Sequence, residues 1–232
     1  MSASAIIIGA SGGIGTALEA ALIEEDAHAK VWGFARSRTG AQHLDLTDEA
    51  SIAAAAALVA QGPAPALVIV ATGLLHEDGR GPEKALRELD PAWLARQYAV
   101  NTIGPALVAR HFLPLLAKSG TPVFAALSAR VGSISDNRLG GWHGYRASKA
   151  ALNMLIATFA VEARRAGDRA IIVGLHPGTV DTALSRPFQA NVTPGTLLAP
   201  DRAALQLLDV IEGLKVKDSG KVFAWDGAEI AP

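Results

Sequence analysis

The chain has no cysteine among its 232 residues, and this absence excludes two kinds of protein. It cannot be a small disulfide scaffold, and it cannot hold a metal through thiolates. A chain without cysteine is compatible with a reducing compartment, so we predict a cytoplasmic location, and we predict no metal site. Neither sign of charge dominates, with 21 Lys and Arg against 22 Asp and Glu. A net charge of −1 gives no general attraction to nucleic acid or to an anionic membrane, so neither is an expected partner.

Long apolar runs are also missing. No segment of about 18 apolar residues without Gly, Pro or charge is present, so no membrane-spanning helix is expected. The start, MSASAIIIGASGGIG, lacks the basic segment and cleavage site of a signal peptide. Half of the residues are hydrophobic and 19% are charged, a composition that favours a compact globule large enough for a sizeable core.

Short apolar runs alternate with longer segments rich in Ala and Leu. The runs are apolar at nearly every position, which is typical of strands covered on both faces in a parallel sheet. The strand candidates are residues 5–9, 31–35, 66–71, 122–128, 170–175 and 221–225. The helix candidates are residues 13–25, 48–60, 91–117, 146–166 and 201–213, and Thr47 and Asp90 precede two of them as expected caps. This alternation predicts an α/β fold, a doubly wound parallel sheet of about seven strands with helices on both faces.

No linker, charge block or internal repeat divides the sequence, so we predict a single domain over residues 1–232. The Pro- and Gly-rich stretch RPFQANVTPGTLLAP (186–200) interrupts the alternation, and its length suits a surface lid at about residues 183–199 better than a domain boundary. The lid has an apolar character that indicates an apolar or mixed substrate. Its apolar residues are Leu184, Phe188, Val192, Leu197 and Leu198.

The glycine-rich segment GASGGIG (9–15) lies between the first strand candidate and the first helix candidate, where dinucleotide-binding folds place their phosphate-binding turn. In this interpretation Gly9 permits a tight turn, Gly13 lets the backbone approach a pyrophosphate, and Gly15 lets the helix pack closely on the strand. Free N–H groups at the helix start would face the phosphates. The spacing is G-x-x-x-G-x-G rather than the commoner G-x-G-x-x-G, and a plain strand–helix turn is the alternative.

The end of the second strand candidate indicates which dinucleotide would bind. Where an acidic residue would bind the adenosine ribose, the chain has Arg36, Ser37 and Arg38. Arginine suits a 2′-phosphate through a charge-assisted contact, which favours NADP(H) over NAD(H), although these arginines also suit a solvated loop. Asp45 and Leu46, near the next short strand, are predicted beside the adenine.

The segment YRASK places Tyr145 and Lys149 four residues apart at the start of the fourth helix candidate. Residues at this spacing share one helix face. A phenol beside an ammonium can act as a proton-transfer pair, and a pair of ordinary surface residues is the alternative.

With these motifs in view, the chain resembles the short-chain dehydrogenase/reductase family over nearly its whole length. The motifs follow in the family's order: GASGGIG, then VNTIGP (100–105), YRASK and HPGTVDT (176–182). The region SARVGSISDN…GGW…YRASKAALN most resembles the branch of C-factor signalling proteins and sniffer-type carbonyl reductases. The resemblance implies a Rossmann-type fold, an NAD(P)-dependent oxidoreductase acting on a small carbonyl or alcohol substrate, and a homodimer or homotetramer packed through its long helices.

The resemblance also assigns roles to residues. Tyr145 would be the general acid or base, Lys149 would lower the pKa of that phenol and hold the nicotinamide ribose, and Asn101 would position a water. The predicted cofactor contacts are Gly9, Ser11, Gly13, Ile14, Gly15, Arg36, Ser37, Asp45, Leu46, Ala71, Thr72, Gly73, Asn101, Tyr145, Lys149, Pro177, Gly178, Val180 and Thr182. The alternatives are a non-catalytic NAD(P)-binding signalling or sensor protein and, on the same fold, an epimerase or dehydratase.

Two segments depart from the family pattern. The family's catalytic serine aligns with Ala129 in LSARVG (127–132), and Ser128 is one residue earlier. Adjacent strand residues face opposite sides, so we predict that a local bulge turns Ser128 into the site as the catalytic hydroxyl; Ser133, or no hydroxyl, is the alternative. In VIVATG (68–73), apolar residues replace both amides of the family's Asn-Asn-Ala-Gly, but Gly73 keeps room for the cofactor.

Overall fold

The computed structural model describes residues 3–232, and at its centre a seven-stranded sheet lies between two layers of helices. The sheet contains β1 (Ser4–Ile8), β2 (Lys30–Phe34), β3 (Pro65–Val70), β4 (Val123–Leu127), β5 (Ile171–His176), β8 (Val222–Ala224) and β9 (Glu229–Ile230). A separate parallel pair is formed by β6 (Thr179–Val180) and β7 (Leu197–Leu198). The helices are α1 (Gly13–Glu25), α2 (Glu49–Val59), α3 (Pro91–Tyr98), α4 (Gly104–Phe112), α5 (His143–Arg165) and α6 (Pro200–Gly213).

The strand order is β2-β1-β3-β4-β5-β8-β9, and all neighbours are parallel except β8 and β9. The predicted doubly wound α/β fold is therefore confirmed. From β1 the chain first goes outward to β2 and then returns to β3 on the other side. In open α/β sheets, ligands bind at such a reversal point, outside the carboxyl ends of the strands.

The side chains of each central strand divide between two buried clusters, which explains why the strands are apolar at nearly every position. Ile6 and Ile8 pack in one cluster with residues of α2, α4 and α5. Ala5 and Ile7 pack in the other with residues of α1 and α6. Because successive strand residues point to opposite faces, helices on both faces require apolar residues throughout.

The helix predicted over residues 91–117 is interrupted. It consists of α3, a π-helical turn (Ala99–Ile103), α4 and a short 3-10 turn (Leu113–Leu115). Pro105 has no N–H and its ring crowds the carbonyl four residues earlier, so the N–H of Gly104 bonds Ala99 O, five residues back. Gly104 also lets Leu46 approach, since a Cβ at this position would lie 2.6 Å from the Leu46 Cβ.

The edges of the elements show smaller differences from the prediction. The short strand expected after β2 is only a bridge between Ala35 and His43, and β9 was not predicted. The cap of α2 is Asp48, which accepts a hydrogen bond from the Ala50 N–H, rather than Thr47, whereas Asp90 caps α3 as predicted. In the part of the chain described, no helix has both the length and the apolar character needed to span a membrane.

Candidate active site

Two adjoining cavities form one cleft at the carboxyl ends of the central strands. The Tyr145 cavity, of about 290 Å³, contains Tyr145, Lys149 and the end of β5; the Arg36 cavity, of about 440 Å³, contains Arg36 and Asp45. Both are lined by Gly12 and by the segment 71–73 that follows β3. The cleft therefore lies at the reversal point between β1 and β3, and each half has the size of a small-ligand site.

The glycine loop packs so closely on its neighbours that three of its positions have no room for a side chain. Gly9 has a φ of 95°, and a Cβ there would lie 2.7 Å from Ala71 O. A Cβ on Gly13 would lie 2.7 Å from Thr182 Cγ2, and one on Gly15 would overlap the carbonyl of Gly9. The helix α1 has no side-chain cap, so its first N–H groups remain available to an anion.

The remaining loop residues agree with these roles. Gly9 and Ser11 line the Arg36 cavity, whereas Gly13 and Ile14 line the Tyr145 cavity. Gly15 lies beneath the loop and lines neither cavity, which agrees with its predicted role in packing.

The segment after β3 has a polar group ready for a ligand. Ala71, Thr72 and Gly73 line both cavities, and the Thr72 hydroxyl is buried without a hydrogen-bond partner. Unpaired buried hydroxyls are uncommon in folded proteins, and this one lies where a dinucleotide would cross from one cavity to the other. With the glycine loop, this segment shows that the chain fits a dinucleotide.

The two arginines after β2 have different roles. Arg36 is exposed and lines the Arg36 cavity, as predicted. Arg38 turns back to pair with Glu19 and donates to the Gly33 carbonyl oxygen at 2.7 Å. Ser37 is exposed and lines neither cavity. Of the two arginines after β2, only Arg36 therefore lies at the cavity.

Asp45 and Leu46 line the same cavity, and their place beside an adenine stays a prediction. Burial raises the pKa of Asp45, but the N–H and hydroxyl of Thr47 donate to its carboxylate at 2.8 Å and the Arg36 charge lies nearby. The hydrogen bonds and the charge outweigh burial, so the pKa of Asp45 lies below its usual value. Asp45 is therefore an ionised acceptor at neutral pH.

An ion pair that no sequence pattern indicated lies on the rim of this cavity. Arg96 donates to both carboxylate oxygens of Glu77, at 2.9 and 2.8 Å, and both residues line the Arg36 cavity. They are 19 residues apart, and no short motif includes them. Only the packing of the loop after β3 on α3 brings them together.

Tyr145 and Lys149 lie together on the first turns of α5. Tyr145 is 7% exposed and Lys149 is 2% exposed, and the Lys149 Nζ lies 5.9 Å from the centre of the Tyr145 ring. Nζ donates to the Leu127 carbonyl oxygen at 2.7 Å. Both residues line the Tyr145 cavity, so they are not a pair of ordinary surface residues, and their action as a proton-transfer pair stays a prediction.

The expected lowering of the Tyr145 pKa by Lys149 is not produced by the chain's own groups. Burial raises the pKa of Tyr145 to about 12 and lowers the pKa of Lys149 to about 7. Burial penalises the charged form of each residue, and a lysine with a pKa near neutrality carries only part of a positive charge at pH 7. The chain by itself therefore holds Tyr145 as a neutral phenol with a proton to donate.

Asn101 holds two segments together. Its Oδ1 accepts from the Leu74 N–H at 2.7 Å, and its Nδ2 donates to the Leu74 carbonyl at 2.9 Å and to the Ser148 hydroxyl at 3.1 Å. It lies behind the cleft and lines neither cavity. Asn101 thus joins the segment after Gly73 to the helix of Tyr145, and its role in positioning water stays a prediction.

Ser128 lines the Tyr145 cavity, but its hydroxyl is committed elsewhere. The Ser128 N–H donates to Leu175 O at 2.8 Å, so the backbone still pairs with β5, and the hydroxyl donates to Asn153 Oδ1 of α5 at 2.5 Å. Strand alternation continues past β4, so the bulge we predicted to turn this hydroxyl towards Tyr145 is wrong. The methyl group of Ala129 packs against Tyr145 instead.

Ser133, the other candidate, is buried away from the cleft. Its hydroxyl accepts from the Asp136 N–H at 3.1 Å and lies 3.3 Å from Pro232 O. It is not a lining residue of either cavity. In the described chain, neither serine therefore directs a free hydroxyl at Tyr145.

The segment after β5 and the predicted lid close the Tyr145 cavity. Pro177, Gly178, Val180 and Thr182 line it, and so do the lid residues Leu184, Phe188 and Val192. Leu197 and Leu198 form β7 and do not line it.

An aromatic wall that the sequence analysis missed faces this lid. The Trp142 ring lies 5.3 Å from the Phe188 ring and 6.2 Å from the Tyr145 ring, centre to centre. Trp142 has a φ of 52°, a conformation that favours glycine, and such strain is frequent at functional sites. This positive φ depends on the surrounding fold, so no sequence pattern indicated it.

The described residues 3–232 contain no cluster of three His, Asp or Glu side chains able to hold a metal ion.

Comparison with known proteins connects this geometry to a family. A family model described as short chain dehydrogenase matches residues 3–193. C-signal of Myxococcus xanthus is 37% identical over 146 residues, which cover 63% of this chain and 82% of that protein. The 1-hydroxy-2-glutathionyl-2-methyl-3-butene dehydrogenase of Rhodococcus sp. (strain AD45) is 33% identical over 187 residues, which cover 79% and 76%.

Among solved structures, the NADPH-bound carbonyl reductase from chicken fatty liver superposes with a TM-score of 0.85 and 28% identity, and the match covers both chains completely. C-signal and a carbonyl reductase, one match for each group of the predicted branch, are thus both among the matches. The resemblance found in the sequence is confirmed.

Proposed function

The chain belongs to the short-chain dehydrogenase family of NAD(P)-dependent oxidoreductases, and we propose that it is an NADP(H)-dependent carbonyl reductase or alcohol dehydrogenase with Tyr145 as proton donor and acceptor. The observation that carries the proposal is the buried pair of Tyr145 and Lys149 in a cavity continuous with the glycine-loop cleft. The NADPH-bound state of the chicken liver reductase and the position of Arg36 support the choice of NADP(H).

Each part of the cleft has a role in this reaction. The bound nicotinamide supplies or accepts a hydride. The N–H groups at the start of α1 bind the pyrophosphate, and Arg36 binds the 2′-phosphate. Tyr145 holds a proton on its phenolic oxygen and gives it to the alkoxide that forms from the carbonyl; in the reverse direction it takes this proton back. Lys149 lies beside it and stabilises the phenolate once the proton has left.

The walls of the Tyr145 cavity favour an apolar carbonyl substrate. Trp142 and Phe188 form an aromatic edge, and Leu75, Val131 and Leu184 complete the apolar lining. A small apolar aldehyde or ketone would exclude water from the space beside Tyr145. The cytoplasmic location, the function of residues 183–199 as a substrate lid and the homo-oligomer stay predictions of the sequence.

The test is oxidation of NADPH by a panel of aldehydes and ketones, followed through the absorbance of the reduced nicotinamide. We expect Tyr145→Phe to lower kcat by about 10²–10⁴-fold because it removes the proton donor, while the variant still binds NADPH. Tyr98→Phe is the matched control, since Tyr98 is the only other tyrosine and lies outside both cavities. Full turnover by Tyr145→Phe would show that the assigned mechanism is wrong.

A second candidate is a cofactor-binding signalling protein without turnover. Two observations favour it: the methyl group of Ala129 where the family has a hydroxyl, and the similarity to C-signal. NADPH binding without oxidation by any carbonyl of the panel, and no effect of Tyr145→Phe on the protein's biological output, would support this candidate over the enzyme.

A further inference from the structure

If the proposed function holds, the Tyr145 cavity must stabilise negative charge on the substrate oxygen. Hydride addition turns a carbonyl oxygen into an alkoxide, and preorganised hydrogen-bond donors at that oxygen lower the barrier. Tyr145 is one such donor. The inference below concerns the second donor and rests on the proposed function.

The nearest polar groups are already committed. The Ser128 hydroxyl donates to Asn153, the Lys149 Nζ donates to the Leu127 carbonyl, and residue 129 is an alanine. Arg130 is exposed and lies 3.4 Å from Asp136, with which it forms an ion pair. The Thr72 hydroxyl is unpaired but lies where the dinucleotide would cross, so we expect the second donor at the neighbouring strand end.

His176 lies at such a strand end. It is the last residue of β5 and lines the Tyr145 cavity. Leu127 pairs with Leu175 in the parallel register, so His176 follows at the level of Ser128 on the neighbouring strand. Its Nδ1 is buried and has no hydrogen-bond partner. An unpaired buried nitrogen is costly to keep and is often explained by function.

The surroundings of His176 keep it uncharged. Burial, and then the nearby Arg130 charge, lower the pKa of His176 to about 4, and Asp226 opposes this only in part. At neutral pH the ring is a neutral imidazole, with one N–H donor and one acceptor nitrogen. Such a ring can donate a hydrogen bond to a carbonyl without competing with Tyr145 as the proton source.

We propose that His176 is a further catalytic residue, which donates an N–H hydrogen bond to the substrate oxygen in place of the hydroxyl that Ala129 lacks. As the hydride forms the new C–H bond with its electron pair, the π electrons of the carbonyl move to the oxygen. The His176 N–H and the Tyr145 hydroxyl stabilise that charge. The Tyr145 O–H bond then breaks and its proton goes to the oxygen, while His176 keeps its own proton.

The first test compares variants in steady-state kinetics with an aromatic aldehyde. His176→Phe removes the donor and fills the same space, and we expect kcat to fall about 10²-fold with little change in KM or in the Kd for NADPH. His176→Gln keeps an N–H donor and should retain part of the rate. His111→Phe is the matched control, since His111 lies on α4 and pairs with Glu49 outside both cavities.

A rescue variant separates the donor from the ring itself. Ala129→Ser, made in the His176→Phe background, places a hydroxyl beside Tyr145. We expect kcat of the double variant to exceed that of His176→Phe by about tenfold or more, because either donor can bond the same oxygen. An unchanged rate in the double variant, or a fall of kcat in His176→Phe that is matched by loss of NADPH binding, would mean a structural role and overturn the assignment.

The second test does not depend on turnover. A ¹³C=O-labelled aldehyde bound together with NADP⁺ gives a carbonyl stretching band in isotope-difference infrared spectra, and hydrogen bonding moves this band to lower frequency. In His176→Phe we expect the band to move back towards the frequency of the unbound aldehyde, whereas in His111→Phe it should stay at the wild-type frequency. A band and a kcat that both stay at wild-type values in His176→Phe would overturn the proposal.

The two proposals can fail separately. If the wild-type chain oxidises NADPH and the His176 variants do so equally well, only the assignment of His176 is wrong. If the wild-type chain binds NADPH and the aldehyde without turnover, the proposed function is wrong, and the infrared band still decides whether His176 contacts the carbonyl.

Discussion

Burial of the Lys149 side chain destabilises the folded state. Its ammonium is 2% exposed, its hydrogen bond to a carbonyl oxygen lacks a compensating anion, and burial lowers its pKa to about 7. A lysine in the unfolded chain has a pKa near its ordinary value and is protonated at neutral pH. On folding, Lys149 therefore either loses its proton or is buried as an ammonium, and both raise the free energy of the folded state. Each unit of pKa lowering corresponds to about 1.4 kcal/mol of destabilisation when the group is protonated in both states.

We expect Lys149→Met to unfold at a higher urea concentration than the wild-type chain at pH 7, although it should lose activity. Between about pH 7 and pH 10 the unfolded wild-type chain binds more protons at this position than the folded chain, so wild-type stability rises with pH. Lys149→Met lacks this contribution, and the gap between the two proteins should narrow over that range. Urea titrations at several pH values measure it; a gap that widens with pH would contradict the assigned pKa.

Among the elements, α5 is notable because another segment caps it. The residue before it, Trp142, has no side-chain hydrogen bond to the helix. Glu83, which is 3% exposed, accepts instead from the Gly144 N–H at 3.0 Å and from Gln97 Nε2 at 3.1 Å. The Glu83 carbonyl accepts from the Trp142 N–H at 2.5 Å. A buried carboxylate at a helix N-terminus is stabilised by the free N–H groups and by the helix dipole.

We expect Glu83→Ala to lower the free energy of unfolding by about 1–3 kcal/mol, because it leaves the Gly144 N–H buried and unpaired. The amide protons of the first turn of α5 should exchange faster with solvent, and Glu83→Gln should lie between the two proteins. Glu24→Ala, at an exposed position of α1, is the control. Equal exchange at the start of α5 in all three variants would show that Glu83 does not hold this helix.

At the scale of the whole molecule, both halves of the sheet contribute residues to the lining of the cleft. The Arg36 cavity is lined from the side of β1 and β2, and the Tyr145 cavity from the side of β4 and β5. A ligand that occupies both cavities binds only the folded chain, since residues between Ile8 and Val192 contribute to the lining. Such a ligand must raise the stability of the whole fold.

We expect NADPH at about 100 times its Kd to add about 2.7 kcal/mol to the free energy of unfolding and to raise Tm accordingly. NADH at the same concentration should raise Tm less, because Arg36 then has no 2′-phosphate to bind. Arg36→Ala should bring the two shifts together, whereas Arg87→Ala, in an exposed turn, should not. Equal shifts with both dinucleotides in the wild-type chain would contradict the preference for NADP(H).

The sequence by itself determined the features that depend on neighbours along the chain. Strand residues alternate between two faces, so runs such as AIII already indicate a sheet covered on both sides. Tyr145 and Lys149 share a helix face because they are four residues apart, and the turn at Gly9 needs only the glycine and its local backbone.

Only the tertiary structure decided the features that depend on groups distant in the chain. The Ser128 hydroxyl is directed by Asn153, 25 residues away, and Arg38 is removed from the phosphate site by Glu19, 19 residues away. The pKa values of Tyr145 and Lys149 lie opposite to the expectation for a charged pair because burial penalises the charged form of each residue. Hydrogen-bond partners and burial arise when separate segments pack together. The spacing of residues along the sequence therefore indicates neither of them.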